Sequence, residues 1–138
     1  TIIANGKIDE TFFKLFNNQS VGTFLESRLE KKIAKKKWLA DNLRSCGRLI
    51  LDEGASIAIL DKGKSLLSIG ILEVEGEFDR GEVVSCVDSK GIEIAKGLVN
   101  YNSIDSKKIC GVSSDEIESI LGFMNEVNVI HRDNLVVL

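Results

Sequence analysis

The stretch VVSCVDSKGIEIAKGLV, residues 83–99, decides the fold class because it predicts a β-hairpin. Two runs of β-prone residues flank the turn DSKG, in which Gly91 can take the positive φ of a bulged turn. The preceding stretch ILEVEGEFDRGEVV, residues 71–84, alternates in polarity, as a half-buried strand does. It predicts an inner face and an acidic outer face, formed respectively by Leu72, Val74 and Phe78 and by Glu73, Glu75 and Glu77.

Short helices are predicted around these strands. In LILDEGASIAILDKG, residues 49–63, a strand runs into a helix that Asp52 caps and Gly63 ends, with Ala55, Ala58 and Ile59 on one face. Two further helices are expected at 102–111, with Ser103 as cap, and at 113–122, where Ser113 and Glu116 have the spacing of a capping box. EVNVI and LVVL then indicate strand pieces on either side of a polar turn, HRDN. Residues 46–138 are therefore predicted to form a small, mainly β domain with short helices.

The first thirty residues show a different pattern, of strand, helix and strand. TIIANG indicates a buried strand, IDETFFKLFNN a helix with Asp9 as a possible cap, and VGTFLESRL a second strand. A basic stretch follows, because residues 28–37 hold one arginine and five lysines against one glutamate. It is either an exposed connecting helix or a solvated linker. We expect three parts: 1–30, a basic linker at 31–45, and 46–138.

Composition excludes several classes of protein. No apolar run approaches the ~20 residues that a membrane helix needs, and the first residues lack the features of a signal peptide. The three cysteines are widely spaced, which argues against a disulfide framework and against a zinc site, and favours a reducing cytoplasm. Residues 38–138 hold ten basic and seventeen acidic side chains, which disfavours a nucleic-acid reader. Without Met at position 1, the chain is expected to be part of a longer polypeptide.

Three motifs suggest chemistry, but none has the context that the chemistry requires. His131-Arg132-Asp133 matches the protein-kinase catalytic tripeptide but lacks the Asn five residues further on and the upstream glycine-rich loop, so a polar turn is expected. Gly63-Lys64-Ser65 imitates the end of a phosphate-binding loop, but Ala58 stands where that loop needs glycine. The acidic strand at 73–79 is better explained by solubility than by metal binding. Trp38 and Tyr101 are expected to be packing anchors. No catalytic, cofactor-binding or metal-binding residue is predicted.

A resemblance to a known family covers nearly the whole chain. The segments GTFL, KKKWLA, LDEGASIAIL, VEGEFDRGEVV, GIEIAKGLVNYNS, ICGVSSDEIESILGF and VIHRDNLVV, in this order, resemble the C-terminal part of bacterial glutamate 5-kinases. The resemblance implies that residues 1–30 are the end of an α/β amino-acid-kinase domain and that a PUA domain, a small pseudo-barrel, follows. It also implies an enzyme that uses ATP and magnesium to phosphorylate glutamate, the first step of proline biosynthesis. Ser68 departs from the family, which usually has proline there.

The resemblance places the kinase machinery upstream of this chain, so the fragment alone is expected to be inactive. Two functions remain open for the PUA domain. One is a regulatory or assembly module that contacts the kinase domain of the same polypeptide in a homo-oligomer. The other is RNA binding, for which the resemblance suggests contacts at Lys62, Lys64, Ser65 and Gly70. The acidic balance favours the first, and no membrane partner is expected.

Overall fold

The computed structural model describes residues 2–7, 10–17, 19, 21–25 and 44–138. The chain divides into two compact units, Thr1–Lys31 and Lys32–Leu138. The predicted cap Asp9, the anchor Trp38 and the basic stretch at 28–37 lie outside the described residues. The predicted domain limits at 30 and 45 stay predictions.

The first unit has the predicted order of strand, helix and strand, but the prediction of a buried first strand was wrong, because Ile2 and Ile3 are exposed. Strand β1, Ile2–Ile3, pairs antiparallel with β2, Thr23–Phe24, and helix α1, Thr11–Phe16, lies between them in the chain. Glu10 is the N-cap of α1, at a positive φ of 64° and without a side-chain cap bond. Large apolar side chains stay exposed on these short elements, notably Phe12, Phe16 and Phe24. The described part of this unit therefore encloses no core of its own.

The second unit is built on a five-stranded mixed sheet, as the mainly β prediction requires. The strands are β3 (Gly47–Leu51), β4 (Ile71–Gly76), β5 (Val83–Val87), β6 (Glu93–Leu98) and β7 (Leu135–Val137). Their order is β4-β3-β5-β6-β7, and β3 with β5 is the parallel pair among them. Strands β5 and β6 form the predicted hairpin, with Gly91 at φ 83°. Within 44–138 the edge strands β4 and β7 do not pair with each other, so the sheet does not close into a barrel.

Helices and 3₁₀ turns cover this sheet and enclose one core. The helices are α2 (Glu53–Leu60), α3 (Ser103–Ile109) and α4 (Ile117–Leu121), and the 3₁₀ turns are Ser68–Gly70, Ser114–Glu116 and Arg132–Asn134. Tyr101 is buried, as a packing anchor should be, and its hydroxyl donates to the Glu126 carbonyl. The other fully buried large side chains are Leu49, Leu51, Ile59, Leu66, Ile71, Val84, Val99, Ile109, Ile117 and Ile130.

Strand β4 differs from its predicted alternation at Leu72, which is exposed although Ile71 and Val74 are buried. The register explains the difference: Ile50 pairs with Glu73 and Leu51 pairs with Ile71, so Leu72 is the extra residue of a β-bulge. A bulge turns one side chain out of the alternation, so the prediction that Leu72 points inward was wrong.

Three local predictions within residues 102–130 were also wrong. Asn102, not Ser103, caps α3, because the Asn102 side chain accepts a hydrogen bond from the Asp105 N–H at 2.8 Å. Ser113 makes no side-chain cap bond, and Glu116 N–H instead donates to the Ser113 carbonyl. The strand predicted at EVNVI, residues 126–130, does not form; its β-pairing is one isolated bridge, between Ile130 and Leu66. Local sequence patterns identified these elements but not the partners of their polar groups.

Candidate functional site

A groove of about 790 Å³ opens in the second unit, between α2, the segment after it and the turn before β7. We call it the α2 groove. Its floor is mainly apolar, and its polar side chains are Asp52, Lys64, Ser65, His131 and Arg132. Three segments that are distant in sequence therefore supply one concave surface.

The first wall depends on the contact between α2 and the 3₁₀ turn at 68–70. Asp52 caps α2 because its Oδ1 accepts the Ala55 N–H at 2.6 Å, and the Asp52 N–H donates to the Gly70 carbonyl at 3.0 Å. A Cβ built on Gly70 would lie 2.5 Å from the Cβ of Ala55. Glycine at position 70 therefore allows the turn to approach the helix closely, which is a packing role.

The opposite wall is held by hydrogen bonds between residues far apart in the chain. Leu66 N–H donates to the Ile130 carbonyl at 2.9 Å, and Arg132 N–H donates to Ser65 Oγ at 3.0 Å across 67 positions. The Nδ1 atom of His131 accepts the Asp133 N–H at 3.2 Å, so a neutral His131 carries its proton on Nε2. Ser65 and Arg132 are thereby fixed side by side at the rim.

The four residues that the resemblance suggested do not all line the α2 groove. Lys64, Ser65 and Gly70 line it, whereas Lys62 lies exposed in the turn after α2 and is not part of the lining. Sequence reasoning missed Arg132 because it assigned residues 131–134 only to a polar turn. No local signal marks Arg132, since its place depends on the pairing of Leu66 with Ile130.

The charges at the α2 groove contrast with those of the unit around it. Residues 44–138 hold ten basic and sixteen acidic side chains. Lys64 and Arg132 nevertheless line the groove, and neither forms an ion pair within 4.0 Å with a described carboxylate. Asp52 is the acidic residue of the lining, and its Oδ1 atom is engaged by the helix cap. The rim at Lys64 and Arg132 is thus a basic spot on an acidic unit.

The three motifs that suggested chemistry in the sequence lie in a turn, after a helix end and on a strand. Arg132–Asn134 form a 3₁₀ turn before β7, which confirms the polar turn predicted for the HRD tripeptide. Gly63 follows α2 with φ 54°, so the GKS sequence lies after a helix end, not at a helix start. Glu75 of the acidic strand pairs with Arg48 at 3.8 Å. In the parts of the chain that the structure describes, no three His, Cys, Asp or Glu residues are grouped to hold a metal ion.

The three cysteines are free and differ in accessibility. Burial, followed by the charge of Glu93, raises the pKa of Cys86 to about 12. Desolvation also raises the pKa of the exposed Cys46, with the charge of Glu82 adding to it. Burial and the charge of Glu73 raise the pKa of Cys110. A raised pKa leaves little thiolate at neutral pH, so none of the three is an activated nucleophile.

No helix among the described residues is long and apolar enough to span a membrane.

Three comparisons relate this chain to known proteins. A PUA domain model matches residues 47–121. Glutamate 5-kinases of Nitrosomonas eutropha and Hahella chejuensis are 47% and 49% identical over all 138 residues, and the chain spans 37% and 36% of their lengths. A PUA domain structure from Aeropyrum pernix K1, a tartrate complex, is 34% identical with a TM-score of 0.44, covering 46% of this chain and 35% of that one. The predicted resemblance is confirmed along the whole chain.

Proposed function

Because this chain belongs to the PUA domain family and aligns throughout with glutamate 5-kinases, we propose that it is the C-terminal part of an ATP-dependent glutamate kinase. The parent enzyme would transfer the γ-phosphoryl group of ATP to the side-chain carboxylate of glutamate, giving glutamyl 5-phosphate. One observation carries the proposal: identity of 47–49% extends over the full 138 residues of this chain. We propose that the parent enzyme is located in the cytoplasm.

The residues described here do not fit an ATP and magnesium site. Phosphoryl transfer needs a phosphate-binding loop and carboxylates that hold the metal. Lys64 follows the end of α2 instead of preceding a helix, and the described residues offer no metal-binding cluster. Because the resemblance implies that the kinase machinery precedes this chain, we propose that the chemistry belongs to that other part of the parent polypeptide.

We propose a regulatory or assembly role for the PUA domain itself. The domain would contact the kinase domain of the same polypeptide in a homo-oligomer. The excess of acidic side chains in residues 44–138 supports this role over nucleic-acid binding, which requires a broad basic surface. The exposed apolar side chains of the first unit, such as Phe12 and Phe16, support its attachment to a larger domain.

Kinase assays on three proteins test this proposal. The 138-residue chain should show no glutamate-dependent ATP turnover. The full-length parent should turn over, and the parent without residues 46–138 should retain turnover within about tenfold while its subunit number or its substrate saturation changes. Glutamate-dependent turnover by the 138-residue chain would refute the assignment of the chemistry. If deletion changed neither the number of subunits, measured by sedimentation equilibrium, nor the kinetics, the regulatory or assembly role would be refuted.

RNA binding is the less favoured alternative. Lys64, Ser65 and Gly70, together with Arg132, line one groove, and this placement supports a contact surface. Lys62, in the neighbouring turn, would contribute from outside the groove. A titration with single-stranded RNA at increasing salt tests it, because each neutralised phosphate steepens the salt dependence of binding. Absence of binding at low salt would eliminate this function.

A further inference from the structure

The α2 groove has the size and lining of a small-molecule site. Pockets for small ligands usually enclose about 300–1,000 Å³ and combine an apolar lining with a few polar groups. The α2 groove, at about 790 Å³, lies in this range, and Ala55, Ala58, Leu67 and Ile69 supply apolar surface. Leu67 and Ile69 are 38% and 55% exposed, so both present apolar surface to solvent in the groove. The lining therefore offers apolar contact area that the protein itself leaves open to solvent.

The polar rim of the groove fits an anion. Lys64 and Arg132 bring two positive charges, against the one carboxylate of Asp52, whose Oδ1 is engaged by the Ala55 N–H. Ser65 Oγ accepts the Arg132 N–H, and its own hydrogen has no acceptor among the described residues. A carboxylate at this rim could accept hydrogen bonds from Lys64, Arg132 and Ser65, and hydrogen bonds to charged groups are the stronger ones.

We propose that the α2 groove binds a small organic anion with an aliphatic body. The carboxylate lies at Lys64, Arg132 and Ser65, and the body lies on the apolar floor. A nucleic-acid strand fits less well, because it needs a row of cations along its backbone, and two cations within an excess of acidic side chains do not form one. This binding site goes beyond the proposed kinase identity and does not depend on it.

Hexanoate is a suitable probe because it joins one carboxylate to a five-carbon body. The ¹⁵N-labelled 138-residue chain is titrated with hexanoate, hexan-1-ol and hexylammonium, and amide shifts are followed by NMR. We expect a Kd for hexanoate of about 1–20 mM, as befits a ligand of eight heavy atoms. The largest shifts should fall at Ala55, Ala58, Ser65, Leu67 and Ile69. Hexan-1-ol and hexylammonium should bind at least about tenfold more weakly, because they lack the anion.

Two charge-neutralising variants separate specific recognition from general electrostatics. The double variant Lys64→Gln/Arg132→Gln should raise the Kd for hexanoate by more than about tenfold, because it removes both charge-assisted contacts and each is worth about tenfold or more. The matched control Lys90→Gln/Lys107→Gln removes the same charge from exposed positions outside the groove and should leave the Kd unchanged. Ile69→Ser should weaken hexanoate binding by reducing the apolar floor, while the amide spectrum shows that the fold is retained.

Several results would overturn the proposal. These are equal loss of affinity in both double variants, shifts that map away from the α2 groove, equal binding of hexylammonium, and no saturation with hexanoate. An oligouridylate that shifts the groove amides with a steep salt dependence, in the absence of hexanoate binding, would assign the groove to RNA instead.

Discussion

Replacing Gly70 by alanine should destabilise the second unit through a single steric contact. The added Cβ would lie 2.5 Å from the Cβ of Ala55, a separation that real Cβ atoms essentially never show. The backbone of Gly70 is not in the left-handed region, so alanine can adopt its conformation without dihedral strain. The steric cost therefore comes from forcing α2 away from the 3₁₀ turn, and it falls on the Asp52 N–H bond to the Gly70 carbonyl.

The expected loss of unfolding free energy is about 2 kcal/mol, typical of one extra methyl group in a tightly packed site. Ala55→Gly alone should cost about 1 kcal/mol, because glycine disfavours the helix interior. The double variant Gly70→Ala/Ala55→Gly removes the clash. It should therefore be only about 1 kcal/mol less stable than the wild-type chain, well short of the ~3 kcal/mol of two additive losses.

Urea unfolding is monitored by the amide signals of strands β3 to β7. These signals measure the free energies and report on the second unit alone. Gly54→Ala is the matched control: it makes the same substitution within α2, where the new Cβ would be 3.5 Å from its nearest neighbour, Asp52 Oδ1. The control should be neutral or stabilising by up to about 1 kcal/mol. A Gly70→Ala chain as stable as the control, or additive losses in the double variant, would refute the steric explanation.

Three further predictions concern Tyr101 and two of the cysteines. Tyr101→Phe should lower the unfolding free energy by about 1–2 kcal/mol, because the Tyr101 hydroxyl bonds both the carbonyl and the N–H of Glu126; an unchanged urea midpoint would contradict this. In iodoacetamide labelling followed by peptide mass spectrometry, Cys46 should react at a rate that rises with pH, whereas Cys86, with a pKa of about 12 and a buried thiol, should stay unlabelled at pH 8. Glu82→Gln should lower the pKa of Cys46 and speed its labelling, since removing a negative neighbour favours the thiolate; an equal or slower rate would contradict that cause.

Elements with signals close together in sequence could be predicted. Helix α2 is an example, because Asp52 accepts the Ala55 N–H and Gly63 takes a positive φ, as the sequence indicated. Leu72 could not be predicted, because the bulge in β4 is set by the register of its partner strand. The basic rim of the α2 groove was equally hidden: Lys64 and Ser65 were identified through the family resemblance, but their approach to Arg132 follows from a tertiary bridge.

The separation of the two groove walls along the chain has a consequence for synthesis on the ribosome. Ser65 emerges 67 residues before Arg132, so the nascent chain carries α2 and the first wall while the second wall is still unmade. Contacts between distant residues form late, because a long loop must close before they are made. The groove, the Leu66–Ile130 bridge and strand β7 therefore form only after residues 130–137 have been made. Until then the nascent unit exposes β6 as an unpaired sheet edge, a surface on which chaperones act.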